Sequence, residues 1–306
     1  MIYWLVIAGP TASGKSALAL EIAERFGGEI INADSRQIYR HMDIGTAKPS
    51  AEERSRVPHH LFDVVAPDVR FDASRYLDLA RAAVADVAAR GRLPIVVGGT
   101  GLYIRALAGG LFRGPAASPR LRRVLDSIEA SAPGTLHRWC RRLDVAIAAR
   151  VHENDRVRLV RALEVALATG RSISSQQQEH AFAERLGTMR YLVVDPGVAS
   201  LGERIRARTV ALFERGLVDE VRALHERGYG PELPALRSIG YLEAGRVARG
   251  ECSVAQATRD VIRSTTRFAK RQRTWFRGER EAIWVRPEER GRVIAEVESL
   301  RGRDAL

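Results

Sequence analysis

The chain has 306 residues, 45% of them hydrophobic, and a formal charge of +12 from 49 basic and 37 acidic side chains. This length and apolar content suffice for one large core, or a core with a smaller appended domain, and exclude a disordered chain. The first apolar stretch is too short for a membrane span or a signal peptide, and Cys140 and Cys252 lie far apart with no metal-ligand spacing, so a reduced, cytoplasmic protein that does not engage membranes is expected.

In chain order, the apolar run Tyr3 to Ala8 leads into Gly9-Pro10-Thr11-Ala12-Ser13-Gly14-Lys15-Ser16, and a helical pattern from Ala17 to Phe26 follows. A strand, then G-x-x-x-x-G-K-S, then a helix is the setting of a phosphate-binding loop. Its glycines let several backbone N–H groups point inward, and the helix turns its positive end to the same anion. Lys15 is expected at the terminal phosphate and the Ser16 hydroxyl on Mg²⁺. The motif calls for a diphosphate or triphosphate and admits a nucleotide such as ATP.

Glu29 to Ala33 reads as a second strand, ending at Asp34-Ser35-Arg36-Gln37, and Leu93 to Val97 as a third, ending at Gly98-Gly99-Thr100-Gly101. Such alternation predicts an α/β fold, a P-loop NTPase-like parallel sheet flanked by helices, with all three turns at one cleft. Asp34 is then placed to accept a proton or help hold a metal. The glycine-rich turn could offer backbone N–H groups and the Thr100 hydroxyl to an anion or a polar substrate edge. The adjacent His59 and His60 point apart on most backbones, so a structural role is favoured over a metal site.

From Gly114-Pro115 the pattern becomes Arg-rich and helical, and Tyr191 to Val194 and Ala282 to Val285 return to strand character. The expected organisation is a core of 1–114 and 191–306 with a helical insertion domain at 115–190. The strand before the second glycine-rich turn lacks the terminal Asp that assists magnesium in phosphate-loop ATPases. Asp195 has the right apolar run before it, but Pro196-Gly197 follows, so a turn role is expected.

Between Arg259 and Arg280 eight basic residues face only Asp260 and Glu279, which is half of the whole charge excess. Val261, Thr265, Phe268, Gln272 and Trp275 recur at helical spacing, so this segment reads as a helix with one packed face and a basic remainder suited to a polyanion. Only Lys15, Lys48 and Lys270 are lysines among the 49 basic residues. A retained Lys in such a chain suggests a place for a compact ammonium.

Gly9 to Ser16, Ala33-Asp-Ser-Arg-Gln-Ile-Tyr39, Gly45-Thr-Ala-Lys-Pro49, Val57-Pro-His-His-Leu61, Gly98-Gly-Thr-Gly-Leu-Tyr103, Asn154-Asp155 with Arg158 to Val165, Ser238-Ile-Gly-Tyr241 and Lys270-Arg-Gln-Arg-Thr-Trp-Phe276 together resemble the ordered motifs of the bacterial tRNA dimethylallyltransferases, the IPP transferase family. No C-terminal zinc-finger pattern of the eukaryotic relatives follows. The resemblance implies transfer of a dimethylallyl group from dimethylallyl diphosphate to N6 of adenosine 37, in tRNAs reading codons that begin with U. The phosphate loop then holds a diphosphate leaving group, with Mg²⁺ as cofactor.

On this resemblance Asp34 and Thr100 are the catalytic residues, Asp34 as the base at N6 and Thr100 positioning the amine or the diphosphate near C1, with Arg208 a cation at the diphosphate. Asp34, Ser35, Arg36 and Gln37 resemble the base-contacting segment. Val157-Arg158-Leu159-Val160-Arg161 and Arg237-Ser238-Ile239-Gly240-Tyr241-Leu242 resemble further RNA-contacting segments, joined by Thr100, Arg122 and the basic-helix residues Lys270, Arg271 and Arg273. The partners expected are the tRNA anticodon stem-loop and dimethylallyl diphosphate, and the chain is expected as a monomer. Two other readings remain open from the residues: a phosphate-loop nucleoside or nucleotide kinase, and a non-catalytic RNA-binding protein.

Overall fold

The computed structural model describes residues 2–180 and 184–301. The chain forms two compact units, Met1–Ala108 with Leu186–Leu306, and Gly109–Arg185. The first opens with β1 (Tyr3–Ala8), α1 (Lys15–Phe26), β2 (Gly28–Asn32), α2 (Ala51–Arg56), β3 (His59–His60), α3 (Ala73–Ala89), β4 (Leu93–Gly98) and α4 (Gly101–Gly109). In the second lie α5 (Pro119–Ser131), α6 (Thr135–Leu143), α7 (Val145–Arg150), α8 (Arg156–Thr169) and α9 (Ile173–His180). The first unit resumes with β5 (Thr188–Val194), α10 (Val198–Glu214), α11 (Leu217–Glu226), α12 (Tyr241–Ala248), α13 (Val254–Arg277), β6 (Ala282–Val285) and α14 (Arg290–Arg301).

All strand pairings are parallel, in the order β3-β2-β4-β1-β5-β6. The near-continuous apolar runs of β1 and β4 suit this, since a parallel strand covered by helices is buried on both faces. Leu5, Ile7, Ile95, Val97 and Leu192 meet Leu18, Ile22 and Ala23 of α1 in one core. The strands end side by side at the phosphate loop, the Asp34 turn and the Gly98–Gly101 turn, the end where parallel α/β sheets bind ligands.

Two details differ from the sequence reading. β3 is only His59–His60, too short to show periodicity, and pairs with Ile30 and Ile31. β5 starts at Thr188, three residues before its apolar run, because Thr188 and Met189 pair with Tyr3 and Trp4. Residues 188–190, read as the end of the insertion, therefore belong to the sheet, and the helical unit is Gly109–Arg185. That unit has its own core of Leu125, Leu136, Cys140, Leu159, Leu163 and Val165.

Candidate active site

The phosphate loop joins β1 to α1. Gly14, at φ 91°, is the N-cap of α1, a left-handed geometry that glycine takes without steric cost. A Cβ on Gly9 would lie 2.4 Å from the Val194 carbonyl oxygen, so a glycine lets the loop cross the end of β5. The turn is closed by the Ser13 N–H, which donates to Pro10 O at 3.2 Å. Ser13 is fully buried, and its hydroxyl has no hydrogen-bond partner among the described residues. Lys15 Nζ donates to Pro10 O at 3.2 Å. Desolvation draws its pKa down to about 8, partly offset by the attraction of Asp34 and reinforced by the repulsion of Arg208. Arg208, on α10, donates to Thr11 Oγ1 at 3.2 Å and Thr46 O at 3.4 Å; burial lowers its pKa while the Asp34 carboxylate opposes that shift. Lys15, Arg208 and Asp34 thus form one electrostatic group, with Ser16 exposed at the first turn of α1.

Asp34 follows β2 in a turn held from two sides. Buried Asn32 accepts the Asp34 N–H at 2.9 Å on Oδ1, and its Nδ2 donates to Asp34 O at 3.2 Å and Leu61 O at 3.0 Å. Asp34 Oδ1 in turn accepts the Arg36 N–H at 2.8 Å. Thr100 Oγ1 accepts the Ser35 N–H at 3.0 Å, and the Thr100 N–H donates to Ala33 O at 3.1 Å. The glycine-rich turn, read from sequence as a possible anion cradle, has a different physical basis. Added Cβ atoms would come within 2.1 Å of Ala33 O at Gly98, 2.2 Å of Gln272 Nε2 at Gly99 and 2.1 Å of Trp275 Nε1 at Gly101. Close approach of β2 and α13 requires those glycines, and the Thr100 amide is committed to Ala33.

The loop after Asp34 is fastened by ionic groups. Glu220 accepts the N–H groups of Asp43, Ile44 and Gly45 at 2.9, 2.7 and 3.2 Å, and the Tyr241 hydroxyl donates to it at 2.5 Å. Gln37 Nε2 donates to Thr46 O and Ala47 O, both at 3.0 Å. Lys48 is buried and donates to Tyr39 O at 2.5 Å and to Asp43 and Asp63 at 2.6 Å, three acceptors around one compact ammonium. His59 and His60 have separate partners: His59 Nδ1 lies 2.7 Å from Val57 O, and His60 Nε2 lies 2.7 Å from Glu29.

Two cavities meet here. One of 120 Å³ combines Lys15, Ser16 and Arg208 with apolar Leu20, Ile30, Phe62 and Val97. The other, of 330 Å³, is lined by Ser35, Arg36, Thr100, Arg237 to Tyr241, and Thr265, Phe268 and Arg271 of α13. Both linings include Thr11, Asp34, Thr46 and Arg208. Asp34 therefore stands where a smaller cavity that combines cationic and apolar groups joins a wider one of mixed lining.

α13 carries the basic run. Arg273 pairs with Asp195 at 2.8 Å and Arg263 with Asp260 at 2.7 Å, while Arg267, Lys270, Arg271 and Arg277 have no carboxylate partner among the described residues. Asp195 also accepts the Gly197 N–H at 3.0 Å, as a turn residue does. Arg237 and Leu242 are exposed, Ile239 is partly so, and Ser238, Gly240 and Tyr241 are buried. Tyr241, expected at RNA, is buried: its ring packs in the core and its hydroxyl anchors Glu220, while the residue also forms part of the wider cavity's wall.

Within the helical unit, Asp155 caps α8 by accepting the Arg158 N–H. Val157 and Arg158 are exposed; Leu159 and Val160, also expected at RNA, are core residues on the inward face of that helix. Arg161 donates to Pro115 O at 2.8 Å. Arg122 grips buried Glu164 through two bonds of 2.7 and 2.6 Å, which commits its guanidinium to the unit itself.

Sequence reasoning did not single out Asn32, Glu220 or the apolar wall, and it treated Gln272 only as a packing position. The available signal for Gln272 was a neutral amide inside an otherwise basic run. Glu220 has no local signal, since its partners lie more than 170 positions away for the backbone groups.

The sequence model described as IPP transferase matches residues 37–279. A tRNA dimethylallyltransferase of Anaeromyxobacter dehalogenans is 51% identical over 285 residues, 92% of this chain and 94% of that protein. One of Geobacter metallireducens is 50% identical over 282 residues, covering 92% and 91%. Among solved structures, the full-length tRNA isopentenylpyrophosphate transferase of Bacillus halodurans superimposes over 100% of both chains with a TM-score of 0.71 at 32% identity. A eukaryotic dimethylallyltransferase acting on tRNA gives a TM-score of 0.79 at 26% identity, over 94% of this chain and 74% of that one. The phosphate loop, the Asp34 turn and the basic α13 thus sit in a protein matched along most of its length, and the chain belongs to the IPP transferase family.

Proposed function

We propose that this protein transfers the dimethylallyl group of dimethylallyl diphosphate to N6 of adenosine 37 in tRNAs that read codons beginning with U, acting as a cytoplasmic monomer. The observation that carries the reading is the meeting of the two cavities at Asp34, Thr11, Thr46 and Arg208. A donor with an anionic head and a short apolar tail suits the first cavity: diphosphate on the loop amides, Lys15 and Arg208, tail against Leu20, Ile30, Phe62 and Val97. The second, edged by Arg237 and Arg271, suits an extruded base and its phosphates. Extruding a stacked base costs a few kcal/mol, which interactions with the base and neighbouring phosphates offset.

The reaction is a direct displacement. As the bond from N6 to C1 forms, the C1–O bond breaks and its electron pair leaves with the diphosphate. Asp34 removes the N6 proton, so charge does not build up on the amine. Lys15, Arg208 and the loop amides stabilise the negative charge growing on the leaving group. Thr100 acts by holding the Ser35 amide and hence the Asp34 turn. A Mg²⁺ ion fits the exposed Ser16 hydroxyl beside the loop, since magnesium binds through few protein oxygens plus phosphates and waters; it would neutralise diphosphate charge. RNA contacts are assigned to Arg36, Arg237, Leu242, Lys270 and Arg271 in the α/β unit and to Val157 and Arg158 in the helical unit.

A phosphate-loop kinase accounts for the loop but leaves the second cavity and the cations of α13 without a purpose. Nucleoside mass spectrometry of unmodified tRNA incubated with protein, Mg²⁺ and either dimethylallyl diphosphate or ATP separates the two. A five-carbon increment on adenosine with the prenyl donor alone is expected. Phosphate transfer from ATP to a small acceptor, with no increment, would sink the transferase reading.

A further inference from the structure

Gln272 lies on α13 among basic neighbours, yet its own side chain turns inward and is 6% exposed. Its Oε1 accepts the Thr11 N–H at 2.9 Å, and its Nε2 donates to Gly99 O at 2.9 Å. The two bonds define the amide's orientation, because a donor faces Oε1 and a carbonyl faces Nε2. Each partner belongs to a working part of the site. Thr11 is in the phosphate loop, and its hydroxyl accepts from Arg208. Gly99 precedes Thr100, whose hydroxyl holds the turn carrying Asp34. One residue earlier on the same helix, Arg271 lines the wider cavity.

We propose that Gln272 is a positioning residue that sets the shape of the diphosphate cradle, a role that rests on the transferase reading for its catalytic consequence. By taking the Thr11 N–H, it turns that amide away from the anion, as the Ser13 N–H is turned to Pro10 O, and leaves the other loop amides to face the diphosphate. By donating to Gly99 O, it fixes the distance between the loop and the Asp34 turn. The leaving group and the base are thereby referenced to one rigid helix. A side chain lacking either half of the amide leaves a buried backbone group unpartnered, which the loop relieves by moving.

The test is calorimetric binding of inorganic diphosphate with Mg²⁺ to the full-length protein, alongside steady-state kinetics. Gln272→Met preserves volume and removes both hydrogen-bonding groups; Gln272→Glu keeps the acceptor and sets a carboxylate oxygen against Gly99 O. Both are expected to weaken diphosphate binding by about tenfold or more, Glu beyond Met, with a matching rise in KM for the prenyl donor and RNA affinity within about twofold of wild type. Diphosphate affinity unchanged in folded Gln272→Met would overturn the role, since a purely structural amide lowers the melting temperature without moving ligand affinity. Wild-type protein that binds diphosphate and prenylates no RNA would remove the transferase reading, while a loss of binding in the variants would still support the role of Gln272.

Discussion

Lys15 gives the site a pH dependence that can be measured without RNA. Its pKa of about 8 in the folded protein means the ammonium begins to lose its proton just above neutrality, and a bound diphosphate must raise that value. Diphosphate affinity is therefore expected to fall above pH 8 by up to about tenfold per unit. Titration calorimetry from pH 7 to 9.5 checks this, with Lys15→Met as the control that removes the slope and leaves the ligand's own ionisation. The folded pKa lies below the ordinary value of 10.5, so the unfolded chain binds more protons between those values. Without diphosphate, the protein should accordingly gain stability from Lys15 as pH rises from about 8 towards 10.5. The phosphate loop was legible in the sequence because its backbone geometry depends on consecutive residues. Lys48 was half legible: the scarcity of lysine marked it, but its acceptors Asp43 and Asp63 meet it only through the fold. Leu159 and Val160 were misplaced for the converse reason. A motif names a segment, whereas the helical turn decides which of its side chains reach the surface.

At the scale of the element, α13 combines two tasks that its periodicity separates. Its inward positions Gln272 and Trp275 meet the loop and the glycine-rich turn, and its exposed cations suit a polyanion. Replacing Lys270 and Arg271 by Ala should reduce the slope of log K against log salt for anticodon stem-loop binding by about 0.7 to 0.9 for each phosphate no longer neutralised. Filter binding across a salt series checks this, and diphosphate affinity should stay unchanged; an unaltered slope would mean those cations do not face RNA. The loop carrying Thr46 depends on α11 and α12 through Glu220. Glu220→Ala leaves three N–H groups and the Tyr241 hydroxyl without their carboxylate, and a loss of about 3 kcal/mol in unfolding free energy is expected, measured by urea titration. The sheet strands were readable because buried parallel strands are apolar runs. β3 was not, since two residues carry no period and owe their strand geometry to β2.

For the whole molecule, the decisive arrangement is two cavities that share Thr11, Asp34, Thr46 and Arg208 and otherwise have different linings. Donor and acceptor can both be present before chemistry, and no protein nucleophile need carry the prenyl group between them. Initial-rate patterns with both substrates varied should intersect; parallel lines, the mark of a covalent intermediate, would contradict direct displacement. Alternation of strands and helices foretold the parallel α/β sheet. The joining of the cavities was beyond the sequence, because it brings α1, the β2 turn, α10 and α13 to one point. The most direct test of the account is the single-turnover rate of Asp34→Ala on tRNA, measured beside its affinity for diphosphate. A rate lower by about a hundredfold to ten-thousandfold with diphosphate affinity retained is the predicted result. Turnover at the wild-type rate would show that the proton leaves N6 by another route and that the cavities do not meet at the base.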